Sequence, residues 1–185
     1  MAIDVGLNCT YKDLSITGTP NTVVSMDNPA NATGTIDYLC SVAHSYDMIA
    51  VQFASFSASG NNLTTNGYTG NLGTITKITP VEFNAPGDFT AFNINAGEYI
   101  GMAYTGGRAD QTGSGGAGIW NSSGTFNIPC SGAAFTVLDV DGIVTVYATG
   151  TESAGGVQKS AAGSGTFVGS LTRKLMAKRA VSGVL

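Results

Sequence analysis

Short runs of alternating apolar and polar residues, separated by clusters of Gly, Asn and Pro, recur along most of this chain. The sequence has 26 glycines among 185 residues, and charged residues make up only 11% of it. Gly, Asn and Pro are typical of turns, whereas Val, Ile, Thr and Tyr favour extended backbone. The pattern therefore predicts an all-β body.

We predict about eight to ten short strands, a number and spacing typical of an antiparallel β-sandwich or barrel. The runs predicted as strands are 22–26, 35–43, 48–57, 72–83, 89–94, 99–107, 134–140 and 142–150. The last two are expected to form a hairpin across an acidic turn, and Gly101 indicates close packing or a bulge. The segments 59–71 and 106–118 are expected to be polar surface loops.

Composition divides the chain into three parts, which are a β-sandwich domain (1–150), a Gly/Ala/Ser-rich linker (151–165) and a basic tail (166–185). Residues 1–158 carry three basic and twelve acidic residues, a net charge of −9, whereas residues 159–185 carry five basic residues and no acid. Such asymmetry points to contact with nucleic acid, with a membrane or with an acidic protein surface. Since the body is itself acidic, we favour self-association and expect no nucleic acid as partner.

The tail combines apolar residues at helical spacing with a basic surface, and we predict that it docks on a neighbouring subunit or on a larger particle. A helix this short is marginal alone, so the tail is helical or extended according to what holds it. The predicted assembly residues are Val168, Leu171, Arg173, Lys174, Leu175, Met176, Lys178 and Arg179.

The three cysteines match neither a zinc-binding pattern nor a disulfide scaffold. Cys9, Cys40 and Cys130 are separated by 31 and 90 residues, so we expect three buried or half-buried thiols. The first residues lack a basic region followed by an apolar run, which predicts a product that starts in the cytoplasm. The apolar stretches are too short to span a membrane, so no membrane partner is expected.

No catalytic or metal site is predicted. The single histidine, His44, lies three residues from Asp47, but no nucleophile motif accompanies them, and we expect its ring to bond to backbone groups in a turn. Cys40 and His44 lack a second pair of zinc ligands. The segment "DVDG" (139–142) resembles half of a calcium loop, although a plain turn explains it better. We expect no enzyme activity and no cofactor.

A ligand-binding surface has more support from the sequence. Tyr68, Tyr104, Arg108 and Trp120 lie in or beside Gly-, Asn- and Thr-rich segments. Exposed aromatic rings there would stack on a sugar. The competing interpretation, which we favour, places Tyr104 and Trp120 in the core of their strands.

Several short segments together resemble a known class of proteins. They are "IDVG" (3–6), "DNPANATGTI" (27–36), "GEYIGMAYTGG" (97–107), "GIW" (118–120) and "VYATG" (146–150). Their arrangement is similar to β-sandwich modules of virion-associated proteins of tailed bacteriophages, and the tail resembles the small-residue and basic repeats that follow such modules. The resemblance concerns strand and turn signatures and carries no active site.

These observations together predict a phage virion structural protein of jelly-roll character, either a capsid decoration protein or a tail-fibre or spike component. It would form a homotrimer, contact major capsid or tail proteins, and be located in the virion after assembly in the host cytoplasm. A carbohydrate- or receptor-binding adhesion module that recognises a host-surface glycan is the first alternative. A subunit of a bacterial surface filament is the second.

Overall fold

The computed structural model describes residues 2–153, which contain fifteen β-strands and no helix. The strands are β1 (Ala2–Gly6), β2 (Leu14–Ser15), β3 (Asn21–Ser25), β4 (Gly34–Ser41), β5 (Gln52–Ser59), β6 (Asn62–Tyr68), β7 (Val81–Asn84), β8 (Phe92–Ile94), β9 (Tyr99–Tyr104), β10 (Asp110–Thr112), β11 (Ile119–Ser123), β12 (Ala133–Ala134), β13 (Thr136–Asp139), β14 (Ile143–Val144) and β15 (Val146–Glu152). The all-β prediction is confirmed. The predicted count was too low, since several strands are only two or three residues long.

The strands form three antiparallel sheets. The largest has seven strands in the order β12-β6-β5-β9-β3-β11-β13. A second sheet has the order β1-β15-β4-β7, with β8 also paired to β4, and a small third sheet has the order β14-β10-β2. In the second sheet, β1 pairs with β15 from Ala2 opposite Thr151 to Gly6 opposite Tyr147. This pairing joins the two ends of the described chain.

One hydrophobic core lies between the two larger sheets. It combines Ile36 and Val146 of the second sheet with Phe53 and Met102 of the seven-stranded sheet, all of them fully buried. Their positions follow from the alternation of side chains along strands, which sends every second residue to the same face. Burial of this apolar surface is the main term that holds the two sheets together.

The opposite face of the seven-stranded sheet carries a second, smaller core. Val24, Phe56 and Trp120 project to that face and are covered by Ile128 and Phe135, from the segment that leads to and follows β12. Strands buried on both faces lack a clean alternation of polar and apolar residues. This explains why consecutive residues of β3 and β5 are buried.

Gly101 occupies a crowded position in the centre of β9. A methyl group there would lie 2.6 Å from the carbonyl oxygen of Val23 and 3.0 Å from the ring of Phe56. Because atoms do not approach so closely, only glycine fits without displacement of its neighbours. The close packing predicted from this glycine is confirmed.

The expectation of three thiols was wrong. Cys9 and Cys40 form a disulfide with their Cα atoms 5.8 Å apart, a normal separation for a bridged pair, and among residues 2–153 only Cys130 is a free cysteine. Sequence spacing was a poor guide, because the segment after β1 returns to β4 only in the folded chain. The disulfide therefore links that segment to a central strand of the second sheet.

Three local predictions were also wrong. The polar segment 59–71, predicted as a loop, contains β6, which pairs with β5 along its length. The segment 106–118 contains β10 of the third sheet. The predicted hairpin across 139–142 is absent, since β13 pairs with β11 and β14 pairs with β10 in a different sheet. Polar strands and changes of sheet leave no signal in hydrophobic periodicity.

The strand predicted at 72–83 is reduced to β7, and its first part forms only isolated bridges. At its other end the described chain runs past the predicted boundary at residue 150, since β15 ends at Glu152. The linker beyond Ser153 and the whole basic tail lie outside the described residues.

Candidate functional site

The four residues predicted as a ligand-binding loop do not form one site. Tyr104 is fully buried, so it cannot stack on a ligand, and burial raises the pKa of its hydroxyl to about 12. Trp120 is 7% exposed, its Nε1 donates to Asn61 Oδ1 at 3.0 Å, and its ring packs edge-on against Tyr99. Both residues are therefore core residues of β9 and β11, the interpretation that the sequence favoured.

The other two predicted ligand-binding residues are more accessible. Tyr68 ends β6 with 48% of its surface exposed, and Arg108 is half-buried beside a surface groove. The eight predicted assembly residues, from Val168 to Arg179, lie outside the described residues.

The environment of His44 differs from the prediction. Its ring stacks on that of Tyr11, with centroids 5.4 Å apart, and its Nδ1 atom is buried with no hydrogen-bond partner. The hydrogen bond it makes is through its backbone N–H, which donates to the carbonyl of Arg108. Asp47 points elsewhere, since its Oδ1 accepts from the backbone N–H of Lys77. The two residues therefore do not form a catalytic pair in this structure.

A buried carboxyl group lies near His44. Asp110 Oδ2 accepts from the backbone N–H of Lys12 at 2.7 Å and from Thr145 Oγ1 at 2.8 Å, whereas its Oδ1 is buried without a partner. Burial raises the pKa of Asp110, and the hydrogen bonds and the nearby Lys12 and His44 oppose that shift. Asp110 is the first residue of β10, and its side chain connects that strand to the Lys12 backbone and to Thr145.

A surface groove, which we call the basic groove, is lined by Tyr46, Asp47, Ile49, Lys77, Gly107 and Arg108 and has a volume of about 550 Å³. Three loops build it, at 44–50, 73–79 and 105–109. Two exposed apolar side chains, Tyr46 at 59% and Ile49 at 53%, contribute its non-polar surface. This size lies within the range of about 300–1,000 Å³ found for small-molecule sites.

Backbone hydrogen bonds hold the three loops together. Met48 and Ile75 exchange a pair of bonds at 2.9 and 3.0 Å, and the N–H of Ile49 donates to Gly106 at 3.0 Å. The buried side chains of Met48 and Ile75 anchor the loops on the main core. The groove is thus built on rigid backbone although its residues belong to loops.

Unusual backbone conformations flank the basic groove. Ile78 has φ +68° and Ala50 has φ +54°, whereas Gly107 at φ +93° approaches the Asp47 carbonyl so closely that no side chain would fit. Positive φ is rare for residues other than glycine, and for a β-branched residue it is a true outlier. Strained backbone is concentrated at functional positions in proteins, which singles out this region.

The electrostatics of the groove contrast with the rest of the body. Among residues 2–153 there are three basic and twelve acidic side chains, and two of the three basic ones, Lys77 and Arg108, line this groove. The Arg108 guanidinium carbon lies 5.1 Å from the centroid of the Tyr46 ring, a cation–π geometry. Neither Lys77 nor Arg108 forms an ion pair with any carboxylate of the described part.

Among the residues of the groove, sequence reasoning selected only Arg108 as a ligand-binding residue, since Asp47 was considered only as a partner of His44. Tyr46, Ile49 and Lys77 were missed because they lie in two loops, 44–50 and 73–79, that are held together by an isolated bridge rather than by long strands. The scarcity of basic residues in the body was the signal that could have selected Lys77 together with Arg108.

A second surface, which we call the apolar edge, lies at β13. Val137, Leu138 and Val140 are 40%, 44% and 70% exposed, and β13 is a terminal strand of the seven-stranded sheet. A β-bulge in its pairing with β11 leaves Leu138 without an opposite residue. Leu14 is also exposed. It lies near this edge, because its side chain and that of Asp139, the last residue of β13, are both within 4 Å of the position that a Cβ on Gly113 would take.

The turn that follows the apolar edge contains the segment "DVDG". The N–H of Asp141 donates to Asp139 Oδ1 at 3.0 Å, which is the hydrogen bond of a local turn. Across residues 2–153, no group of three or more His, Cys, Asp or Glu side chains is placed to hold a metal ion.

No helix in the described part is both long and apolar enough to cross a membrane. Comparison with known proteins finds no protein-family model that matches the chain, no similar curated protein and no similar solved structure.

Proposed function

We propose that this chain is a non-enzymatic structural subunit of a tailed-bacteriophage particle, in which a jelly-roll-like β-sandwich assembles as a homotrimer and contacts major capsid or tail proteins. The apolar edge is the observation that carries this proposal. Large exposed apolar side chains on neighbouring positions of a terminal strand are costly in water and typical of a surface that is covered in an assembly.

The bulge at Leu138 favours side-chain packing over strand pairing between copies. A bulge bends and twists a terminal strand, which hinders the addition of a further strand beside it. Pairing of β13 with its own copy would also produce a two-fold dimer. Packing of the apolar side chains around a threefold axis covers them without that pairing.

The stabilisation available from the apolar edge is modest. Full burial of an aliphatic side chain contributes about 1.5–3 kcal/mol, so half-exposed side chains contribute about 1 kcal/mol each. Val137, Leu138 and Val140 of three subunits together supply roughly 9 kcal/mol, which does not clearly exceed the cost of the two association steps that form a trimer, at about 4–15 kcal/mol each. We therefore propose that the basic tail adds contacts to the acidic body of a neighbouring subunit.

The disulfide is consistent with a particle component. Disulfides persist on virion and cell surfaces, in contrast to the reducing cytosol where such a chain is made. Cys9 and Cys40 would therefore join after release of the particle or in an oxidising compartment. The proposed location is the virion.

The oligomeric state of the full-length chain tests the proposal. Light scattering at high micromolar concentration should give the mass of a trimer for the wild type and of a monomer for Leu138→Glu. Tyr68→Glu is the matched control, because Tyr68 is similarly exposed and the added charge is the same, and it should remain trimeric. A monomeric wild type, or a Leu138→Glu variant that stays trimeric, would overturn the assembly mechanism.

The virion context has a separate test. Mass spectrometry of purified particles should detect the chain in stoichiometric amount, and its gene should lie beside genes for a major capsid or tail protein. Its absence from particles would refute the phage assignment even if the chain were trimeric.

A further inference from the structure

We propose that the basic groove binds an acidic saccharide, namely a sugar that carries a carboxylate beside its hydroxyl groups. The proposal goes beyond assembly and involves none of the residues of the apolar edge. It depends on the charge, the chemistry and the rigidity of the groove.

The charge of the groove selects an anion. Lys77 and Arg108 line one groove of a body whose described residues carry twelve acids, and no carboxylate among residues 2–153 forms an ion pair with either side chain. A guanidinium presents a planar set of donors that matches the two oxygens of a carboxylate. Arg108 is also oriented by its contact with Tyr46, so less conformational entropy is lost when it binds.

The remaining lining residues select a sugar over a simple anion. Tyr46 and Ile49 offer exposed apolar surface on which the non-polar face of a pyranose ring can pack. Asp47 uses Oδ1 to accept from Lys77 N–H, which leaves Oδ2 for a ligand hydroxyl. Because Asp47 offsets one of the two positive charges of Lys77 and Arg108, the groove favours a ligand with one negative charge and several hydroxyls over phosphate groups and polyanionic peptides.

The groove is organised before any ligand arrives. Backbone hydrogen bonds tie the 44–50 loop to both of the other loops, and Gly107 permits a close approach that any side chain would prevent. A preformed site loses less entropy on binding than one that must be ordered. The strain at Ala50 and Ile78 is consistent with a backbone that is held in place for a ligand.

The test measures the binding of glucuronic acid, and of its neutral counterpart glucose, to the full-length chain by calorimetry and by NMR chemical-shift perturbation. A glycan array of acidic and neutral oligosaccharides follows. We expect glucuronic acid or acidic array members to bind and their neutral counterparts to bind at least tenfold more weakly. Arg108→Gln should reduce the affinity about tenfold or more, and Tyr46→Ala should reduce it as well. Arg108→Lys, which keeps the charge and loses the planar fork, should fall between Arg108→Gln and the wild type.

Lys12→Gln is the matched control, because it removes the third basic residue of the body, which lies outside the groove. It should leave the affinity unchanged, and all variants should keep the thermal midpoint of the wild type within a few degrees. Equal binding of acidic and neutral sugars would overturn the proposal. So would equal loss in Lys12→Gln and Arg108→Gln, competition by equimolar inorganic phosphate, preference for a poly-glutamate peptide, or the absence of any acidic ligand on the array.

Discussion

The Cys9–Cys40 disulfide should contribute about 3–4 kcal/mol to the free energy of unfolding. The bond closes a loop with a sequence separation of 31 residues. In the chain-entropy model, a crosslink over a loop of this length lowers the conformational entropy of the unfolded chain by about 12 cal/mol/K. The unfolded state is thereby destabilised by about 3.7 kcal/mol at 25 °C. For a domain of this size, such a loss lowers the thermal midpoint by roughly 7–15 °C.

The perturbation that isolates this effect is Cys9→Ala. Cys9 is half-buried, whereas Cys40 is fully buried in β4, so removal of the Cys9 sulfur creates less empty space in the core. The midpoint of the wild type should fall when a reducing agent is added, and that of Cys9→Ala should not respond. Cys130→Ala is the control for loss of a cysteine without loss of a crosslink.

Two results would refute this reasoning. Titration of the oxidised, denatured wild type should detect one free thiol, and detection of three would show that the bond does not form. Equal midpoints for the wild type with and without reductant would show that the crosslink does not restrict the unfolded chain as the loop length implies.

Two further predictions concern buried positions. Gly101→Ala should lower the free energy of unfolding by about 1–3 kcal/mol because its methyl group would meet the Val23 carbonyl. Gly70→Ala, where the added methyl group meets no atom within 4 Å, should change the free energy of unfolding far less. Equal urea midpoints for the two variants would contradict the packing argument. Burial raises the pKa of Asp110, so the folded state holds this proton more tightly than the unfolded state. The contribution of this group to the free energy of unfolding is fully present below its unfolded-state pKa of about 3.9 and is lost as the pH rises through its folded-state pKa. The difference in free energy of unfolding between Asp110→Asn and the wild type should therefore favour the variant more at pH 7 than at pH 4. A difference in urea midpoint between the two proteins that is the same at both pH values would contradict the assignment.

Much of the strand content could be predicted from the sequence. The segments 22–26, 35–43 and 99–107 each contain a strand, because β-branched and aromatic residues dominate between clear turn signals. Gly101 marked close packing in advance, since a glycine within a strand has few other uses. These features are local, and their physical causes act over a few residues.

Strands without an apolar pattern could not be predicted in this way. β6 has Leu63 as its one large buried side chain, and it is a strand because β5 offers a complete row of backbone partners. The turn at 139–142 has the composition of a hairpin, yet the chain changes sheet there. In both cases the backbone partners come from elsewhere in the chain, and only the assembled sheets supply them.

The candidate sites show the same division. Composition by itself determined an all-β body with a strongly acidic charge and very few basic residues. Only the tertiary structure decided that Lys77 and Arg108 share a groove with Tyr46, that Cys9 meets Cys40, and that Tyr104 is buried rather than available to a ligand. Side-chain alternation acts over neighbouring residues, whereas the distance between residues 30 or more positions apart depends on which strands lie beside one another, and that order follows from how the whole chain buries its apolar surface.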